Sequence, residues 1–369
     1  MPFNLPEEYL LGLVAWAMAL AASLLALLKL RRRLKQRVVR GEPRRALVDF
    51  ATKAGLSMWI FLVSLTVVEL CFAVVYDQTD SFNMSNVSQH WFARHVRDNS
   101  QGFRDDRPFP RLVPAGKKRI AFIGDSFTFG HGIKNVADRF SDRVGARLES
   151  VRPGKFLESN IGSAGIEVQV VTNLVEKIVD RGYSIDVLVY TICLNDIEGY
   201  EPAVGQMQQQ FYLKSPKFFL FRDTYFLNML YFRVQQASLP EVRSYYAQLA
   251  DSYRSAPWEG MRQKLDELKD YCAAKKIDLR IVIFPFLHNL GPDYPFDAAH
   301  ERIAEYCREA RLPCLDLKPV LLPHVEEGLT VNRFDAHPNE RAHALAAQAM
   351  ETDLLADLFA ETDFNDSSD

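Results

Sequence analysis

Two long apolar runs open the chain. Residues 9–28 contain no charged side chain, and residues 56–76 are interrupted by a single acid, Glu69. As a helix, about twenty residues rise ~30 Å, which matches the hydrocarbon thickness of a bilayer. A secretory signal peptide would need a basic start, whereas this chain starts with the acidic stretch MPFNLPEE. The pattern therefore predicts two transmembrane helices that form an anchor over residues 1–76.

From residue 118 onward, short apolar runs alternate with segments of helical period. Five runs are typical of buried parallel strands: RIAFIG, KFLESNIG, IDVLVYTI, DLRIVIFP and PCLDL. Other segments, for example IEVQVVTNLVEKIVDRG, carry apolar residues three and four positions apart. This alternation predicts an α/β domain over residues 118–360, with a parallel sheet that helices cover on both faces.

Three segments depart from this alternation. Residues 77–117 are polar and contain three prolines, which predicts a linker or an arm lying on the domain. The acidic stretch 361–369 is predicted to be a disordered tail. An aromatic-rich insertion covers about residues 200–256, and its stretch 211–233 holds four basic residues. Core packing, contact with a sugar, cover over a site and a place at the membrane interface all stay open for that stretch.

The charge of the chain is unevenly distributed. Residues 1–55 carry ten Lys/Arg against four Asp/Glu, and the remainder carries 34 against 43. All ten basic residues lie in the stretch 29–53 between the apolar runs, and basic loops stay on the cytoplasmic side. Both chain ends are therefore predicted outside, and everything after residue 76 is predicted to be periplasmic or extracellular. The acidic body argues against nucleic acid as a partner.

Two further features concern single residue types. Glu69 marks contact with a partner or a polar cavity, or it lies near the outer headgroups because the helix is offset. The five cysteines show no C-x-x-C pair and no ligand spacing with histidine, so neither a metal site nor a disulfide framework is predicted. A pairing of Cys307 with Cys314 is left open.

Candidate reactive residues stand at successive strand ends. Ser126 follows the first strand in GDSFTFGHG, Asn195 follows the third in LNDI, and His337 precedes the last helix in FDAHPN. The carboxyl ends of parallel strands share one sheet edge, where ligands bind, so these side chains can converge. His337 would take the Ser126 proton during attack on an ester carbonyl, and Asp335 would hold the other ring nitrogen.

The oxyanion formed in such an attack needs two or three hydrogen-bond donors. We expect the Ser126 N–H, an N–H of the glycine loop NIGSAG and the Asn195 amide to supply them. Taken singly, GDS could be a turn or a helix N-cap, and LND a turn. Their joint occurrence, in order and at successive strand ends, favours a catalytic site. A phosphate-binding loop is not indicated, because the G-K-[ST] ending is absent.

These blocks resemble the SGNH, or GDSL-type, hydrolase family over about residues 118–360. GDSFTFG is similar to the family's serine block. In NIGSAG the resemblance implies Gly165 as the oxyanion glycine, with Gly162 as a second choice. CLND supplies Asn195, although Cys193 replaces the usual glycine. The family's last block is commonly D-x-x-H, whereas this chain has D-x-H with Asp335.

The resemblance also implies a flavodoxin-like three-layer αβα fold and further roles for single residues. The arm NSQGFRDD is similar to a segment of membrane-bound bacterial members, and its Arg104 would bind substrate or, as we favour, pin the arm. Asp125 and Asp196 belong to the motifs and are interpreted as supports. Asp125, Gly162 and Arg104 are kept as candidate substrate-binding residues.

Together with the anchor, the resemblance implies a serine esterase or O-acyltransferase of the bacterial inner membrane that works through an acyl-serine intermediate. The expected substrates are O-acyl groups, foremost acetyl, of cell-envelope or exported polysaccharide, or acyl lipids. The expected partners are the lipid bilayer and a polytopic membrane acyltransferase, and no cofactor is expected. The alternative is a catalytically silent subunit of a polysaccharide export or assembly complex that uses the fold as a scaffold.

Overall fold

The computed structural model describes residues 5–40, 46–201, 214–238 and 240–360. By its contacts the chain divides into two compact units. The helical unit comprises Met1–Gln78, Asn83–Arg94 and Ser215–Gln235. The sheet unit comprises Thr79–Phe82, His95–Lys214 and Gln236–Asp369. The predicted acidic tail, 361–369, lies outside the described residues.

The division cuts the chain differently from the predicted ranges. The predicted linker or arm, 77–117, is divided between the two units. Thr79–Phe82 and the residues from His95 onward belong to the sheet unit, and Asn83–Arg94 belongs to the helical unit. The predicted insertion, about 200–256, is shared as well, and its part Ser215–Gln235 belongs to the helical unit. Both differences arise from contacts between residues far apart in the chain, which composition does not reveal.

Helices make up the helical unit. They are α1 (Glu7–Val39), α2 (Ala46–Leu70), α7 (Phe219–Arg222) and, except for their last residues, α3 (Asn86–His95) and α8 (Phe226–Ser238). A π-helical turn, Cys71–Val75, continues α2. The stretches Glu7–Arg37 and Val48–Val75 are long and apolar enough to cross a membrane, judged by length and composition.

Side-chain hydrogen bonds join α1 and α2 as an antiparallel pair. Trp16 Nε1 donates to Thr66 Oγ1 at 2.9 Å, and Trp59 Nε1 donates to Leu20 O at 2.9 Å. Trp16 thus pairs with the later residue of α2, Thr66, and Leu20 pairs with the earlier one, Trp59. The order of the contacts matches two neighbouring helices joined by the basic stretch.

Glu69 lies near the end of α2 and has its hydrogen-bond partners within the chain. Its carboxylate accepts from Tyr9 Oη at 3.0 Å, from the Tyr225 N–H at 2.7 Å and from the Phe226 N–H at 2.9 Å. The two N–H groups belong to the start of α8, where unpaired amide donors attract an anion. The carboxylate of Glu69 is therefore satisfied by two distant segments of the same chain.

Five parallel strands form the main sheet, in the order β2-β1-β3-β4-β5. They are β1 (Lys118–Gly124), β2 (Phe156–Asn160), β3 (Val187–Cys193), β4 (Asp278–Phe284) and β5 (Cys314–Asp316). All five coincide with the predicted runs, so the predicted parallel α/β fold is confirmed. The strand order changes direction between β1 and β3, and open α/β sheets bind ligands at the carboxyl ends beside such a point.

Helices connect the strands and cover the sheet. They are α4 (Ser126–Phe129), α5 (Phe140–Val151), α6 (Val168–Asp180), α9 (Pro240–Ser252), α10 (Ala256–Lys275), α11 (Asp297–Ala310), α12 (Lys318–Leu321), α13 (Glu340–Ala349) and α14 (Ala356–Phe359). The central strand β3 is buried along its whole length. On α6 the buried residues Val168, Val171, Val175 and Ile178 recur at helical spacing and form the face that packs inward.

A short antiparallel hairpin, β6 (Thr330–Asn332) and β7 (Asp335–Pro338), precedes α13. The sequence did not predict it, because strands of three and four residues are too short for an alternation to be visible. The hairpin matters because successive strand residues point to opposite faces. Asp335 and His337 are two positions apart and therefore lie on the same face of β7.

Gly162 follows β2 in close contact with α4. A Cβ at this position would lie 2.8 Å from Phe129 N and 2.8 Å from Thr128 Cβ. Since the backbone of α4 cannot yield easily, we expect Gly162→Ala to lower the free energy of unfolding by about 1–3 kcal/mol. Gly291→Ala is the matched control, because a Cβ there meets nothing within 4 Å. Thermal unfolding of the full chain in detergent checks this, and equal melting temperatures for the two variants would contradict it.

Candidate active site

Ser126 is the first residue of α4 and lies at the carboxyl end of β1. Gly124 before it has φ +157°, and a Cβ there would collide with the backbone of β3. Asp125 is the N-cap of α4, and its Oδ1 accepts the Phe127 N–H at 2.9 Å. The GDSFTFG block is thus a tight strand-to-helix turn that presents a partly exposed serine hydroxyl.

The structure brings His337 and Asp335 to this serine. His337 Nε2 lies 2.8 Å from Ser126 Oγ, and His337 Nδ1 lies 2.5 Å from Asp335 Oδ1. An ionised carboxylate only accepts hydrogen bonds, so Nδ1 carries the ring proton and Nε2 accepts from the serine hydroxyl. The other acceptor near that hydroxyl, Asp125 Oδ2, is farther away at 3.2 Å. The D-x-H spacing lets Asp335 reach the His337 ring because β7 is extended, so side chains two positions apart lie on the same face.

The carboxylate of Asp335 is buried and surrounded by donors. Oδ1 also accepts the His337 N–H at 3.1 Å, and Oδ2 accepts the Thr79 hydroxyl and faces His131 Nε2 at 3.4 Å. Burial raises the pKa of Asp335, but the facing imidazoles of His337 and His131 lower it more, and the resulting pKa is well below the usual range. Asp335 therefore stays ionised at neutral pH.

His131 is a buried member of this cluster that the sequence analysis missed. Its ring stacks on the His337 ring, with centroids 3.9 Å apart and planes 8° apart. Its Nε2 also lies 3.1 Å from Asp80 O. Burial and the neighbouring His337 lower the pKa of His131, which keeps this ring neutral beside one that must gain a proton. The sequence feature that could have identified it is the position of His131 between two glycines, directly after the serine block GDSFTFG.

Support for β7 comes from a segment that the sequence analysis assigned to the linker. Thr79 Oγ1 donates to Asp335 Oδ2, and the Ser81 N–H donates to Phe334 O at 3.3 Å. Ser81 Oγ accepts the Ala336 N–H at 3.0 Å. These contacts join positions about 255 residues apart, so no local pattern could have revealed them.

Asn195 lies in the turn after β3. Its side chain lies close enough to Asp125, the residue before Ser126, to favour the ionised form of that carboxylate, and its Oδ1 is buried without a hydrogen-bond partner. An amide NH₂ has two hydrogens that it can donate. The Asn195 amide thus lies beside the serine turn.

The two candidate glycines of the NIGSAG loop are in different environments. The Gly162 N–H donates to Asn160 Oδ1 at 2.9 Å, and the residue is buried against α4, so its visible role is packing. Gly165 is exposed and has φ +75°. Its loop passes the end of β1, because the Ser163 N–H donates to Gly124 O at 3.0 Å.

Buried polar groups hold the turn that carries Asn195. Tyr190 Oη donates to Asp196 Oδ2 at 2.6 Å. Burial raises the pKa of Asp196 well above its usual range, and the charge of Asp125 adds to this. Burial raises the pKa of Asp125 as well. Cys193, which stands where the family has glycine, is fully buried, and burial raises the pKa of its thiol well above the usual value. These groups fit a supporting role.

Arg104 connects the polar arm to the loop after α4. Its side chain is 1% exposed, and the guanidinium donates to Gly130 O at 2.6 Å and to Ile133 O. Its Cζ also lies 5.3 Å from the centroid of the Phe129 ring. Burial and the nearby Arg139 lower the pKa of Arg104 to about 10, which leaves it charged at neutral pH. These contacts fit pinning of the arm and leave no geometry for substrate binding by this side chain.

Among the described residues, two groups of side chains bring ligand-type atoms within 4.8 Å of one another: His131, Asp335 and His337, and Asp105, Asp142 and Glu158. In the first group, Asp335 and His337 already form the hydrogen-bond relay to Ser126, and the His131 ring stacks on His337. In the second, Arg139 Nε lies 2.8 Å from Asp142 and Arg107 Nη2 lies 3.1 Å from Glu158, so arginines compensate its charge. All five cysteines are free thiols, and Cys307 and Cys314 do not form a disulfide.

Comparison with protein families gives one match. The model of the GDSL-like Lipase/Acylhydrolase family matches residues 122–345. This range runs from within β1 to within α13 and includes Ser126, Asn195 and His337. No curated protein matches the chain.

Several solved structures are similar to the chain at low identity. A two-domain esterase active on acetylated mannans has 18% identity and a TM-score of 0.40, covering 66% of this chain and 50% of its own. A member of the lipolytic protein G-D-S-L family from Veillonella parvula has 15% identity and a TM-score of 0.37, with coverage of 63% and 97%. TesA has 12% identity and a TM-score of 0.42, with coverage of 65% and 99%. The chain spans half the length of the two-domain esterase.

Replacing Asp335 by asparagine tests the tautomer that the geometry requires. An amide NH₂ facing Nδ1 would move the ring proton to Nε2, which then cannot accept from Ser126. We expect Asp335→Asn to lower kcat for an aryl acetate by about 10³–10⁴-fold with little change in KM. Thr79→Val, which keeps the carboxylate and removes one donor, should lower kcat by only about tenfold. Equal rates for Asp335→Asn and the wild type would contradict the assignment.

His131 gives a prediction about pH. A histidine whose folded pKa is lowered contributes stability that is present above its unfolded pKa of about 6.5 and is lost as the pH falls below that value. The stability advantage of the wild type over His131→Phe should therefore shrink between about pH 7.5 and pH 5. Melting temperatures of both proteins across this range measure it. A difference that stays constant or grows as the pH falls would refute a neutral His131.

Proposed function

The chain belongs to the GDSL-like lipase/acylhydrolase family and is a hydrolase of ester bonds, and from this premise we propose its substrate and place. The protein removes or transfers O-acyl groups, foremost acetyl, on cell-envelope or exported polysaccharide at the outer face of the bacterial inner membrane. The observation that carries the proposal is the 2.8 Å contact between Ser126 Oγ and His337 Nε2, with Asp335 on the other ring nitrogen.

Ser126 is the nucleophile in the proposed reaction. As its Oγ attacks the ester carbonyl, the hydroxyl proton passes to His337 Nε2, and the carbonyl electron pair moves to the oxygen. Asp335 stabilises the imidazolium that forms. When the tetrahedral intermediate collapses, His337 returns the proton to the leaving sugar oxygen and the acyl group stays on Ser126. Water, or a second sugar hydroxyl, then attacks the acyl-serine in the same way.

Three donors are proposed for the oxyanion: the Ser126 N–H, the Gly165 N–H and the Asn195 amide. The closeness of the Asn195 side chain to Asp125 supports this role, because Asp125 directly precedes Ser126 in the serine turn. The exposed, left-handed Gly165 supports it as well, since no side chain hinders approach to its N–H. Loss of one such donor typically costs about 3–4 kcal/mol of transition-state stabilisation.

The substrate class follows from the membrane helices and the charge pattern. Two helices long enough to span a bilayer precede the site, and the basic stretch between them favours a cytoplasmic loop. With that topology the reactive serine faces the outside, where envelope polysaccharides and acyl lipids are exposed. A polytopic membrane acyltransferase is the proposed donor if the reaction is a transfer.

Removal of the nucleophile tests the chemistry. We expect the full chain in detergent to react with a fluorophosphonate probe and to release acetate from an acetylated oligosaccharide. Ser126→Ala should abolish the labelling and lower acetate release by at least about 10³-fold. Ser150→Ala is the control, since that hydroxyl is exposed and bonded within its own helix. Labelling that persists in Ser126→Ala, or a wild type that neither labels nor releases acetate, would sink the proposal.

Competition between water and sugar separates hydrolysis from transfer. With an aryl acetate as donor, a hydrolase releases acetate at the same rate whether or not an unacetylated oligosaccharide is present. A transferase diverts the acetyl group to the sugar, and mass spectrometry then finds an acetylated oligosaccharide in place of free acetate. Either result agrees with the acyl-serine, whereas acetylation of the sugar by Ser126→Ala would exclude it.

A further inference from the structure

We propose that the residues 217–222, which we call the aromatic turn, lie in the outer headgroup region of the bilayer together with the exposed face of α8. This inference rests on the membrane anchoring in the proposed function and adds a lipid-binding surface to it. The surface belongs to the helical unit and contains no residue of the candidate active site.

Large apolar side chains of this region face outward. Phe218 and Phe219 are 55% and 56% exposed. Leu220 and Phe221 in the turn, and Leu230 and Val234 on α8, are exposed as well. Leu230 and Val234 are four positions apart, so they share one helix face. Several large apolar side chains exposed in one region mark a surface that a membrane or a partner molecule covers.

The backbone holds these side chains in their outward position. Asn86 Nδ2 donates to Arg222 O at 2.8 Å and to Thr224 O at 2.8 Å. Asn228, which is 2% exposed, donates from Nδ2 to Phe221 O at 2.7 Å and accepts the Asn86 N–H at 2.8 Å. Two asparagines thus satisfy the carbonyls of the turn. The exposed phenylalanines are therefore a built surface and not a consequence of a loosely placed loop.

The same region is fixed to one end of the two long helices. Glu69, near the end of α2, accepts the N–H groups of Tyr225 and Phe226. A small core of Leu5, Ala73, Val87 and Tyr225 packs at this end. Because Leu5 precedes the apolar stretch of α1 and Ala73 lies near the end of the stretch that contains α2, the aromatic turn lies level with the boundary of the hydrocarbon region. Tyr9, bonded to Glu69, is a residue type enriched at that boundary.

The basic side chains beside the aromatic turn favour lipid as the molecule that covers this surface. Lys217 and Arg222 flank the four apolar residues of the turn, and both are exposed. Long basic side chains can keep their charge at anionic headgroups while the neighbouring rings enter the acyl region. Phenylalanine, leucine and valine offer no polar group to sugar hydroxyls, which makes a glycan a poorer match for this surface.

Site-specific photocrosslinking tests the inference on the full chain in nanodiscs of phosphatidylethanolamine and phosphatidylglycerol. The variant Phe219→p-benzoylphenylalanine is irradiated, digested and searched for lipid adducts by mass spectrometry. Met18, 63% exposed on α1, carries the same label as the positive control for anchoring. Leu322, 36% exposed in the sheet unit, carries it as the negative control. We expect position 219 to give lipid adducts at a yield within about threefold of position 18, and position 322 to give none.

Each outcome decides between the proposals. If position 18 reacts with lipid and position 219 behaves like position 322, the anchor stands and the interfacial turn is refuted. If position 18 gives no adduct, the membrane anchoring fails and the inference fails with it, while the esterase chemistry is still judged by Ser126→Ala. Irradiation of whole cells that yields a protein adduct at position 219 in place of lipid would assign the surface to a protein partner and overturn the lipid assignment.

Discussion

The buried carboxylate of Asp335 is the group on which the site depends. It holds the ring proton of His337 on Nδ1 and so leaves Nε2 free to accept from Ser126. Thr79 and His131 complete its surroundings, and together these partners keep it ionised although it is buried. A buried charge with this many donors is stable in place, whereas a buried charge that loses one partner is costly. The geometry of the hydrogen bonds at Ser126 is therefore set in part by Thr79 and His131, which are both buried.

Much of the fold and part of the site could be predicted from the sequence. The five strands were recognisable because buried parallel strands are continuous apolar runs. Ser126 and Asn195 could be brought together on paper because parallel strands present their carboxyl ends at one edge, whereas His337 lies in the separate antiparallel hairpin of β6 and β7. His131 and Thr79 could not be found in this way. His131 acts through a ring stack and Thr79 through a contact across 256 positions, and neither leaves a periodic or spacing signal.

Glu69 illustrates the same limit in the helical unit. A carboxylate within an apolar run shows that something must satisfy it, but the sequence does not say what. Its partners are a tyrosine 60 positions earlier and two backbone amides 156 and 157 positions later. The composition of 211–233 left four roles open. The amide contacts of Glu69, together with the carbonyls held by Asn86 and Asn228, favour the role at the membrane interface. Residues 202–213 lie outside the described part of the chain.

The position of Thr79 has a consequence for how the protein can be separated from its anchor. Gln78 is the last residue of the first segment of the helical unit, and Thr79 is the first residue of the sheet unit. A soluble fragment that begins at β1 would retain every strand and every member of the relay, yet it would lack the hydroxyl that holds Asp335. Proteolytic release from the membrane would therefore keep the hydrogen bond from Thr79 to Asp335 only if the cut falls before Thr79. A cut between Thr79 and β1 would release a domain whose Asp335 lacks this donor.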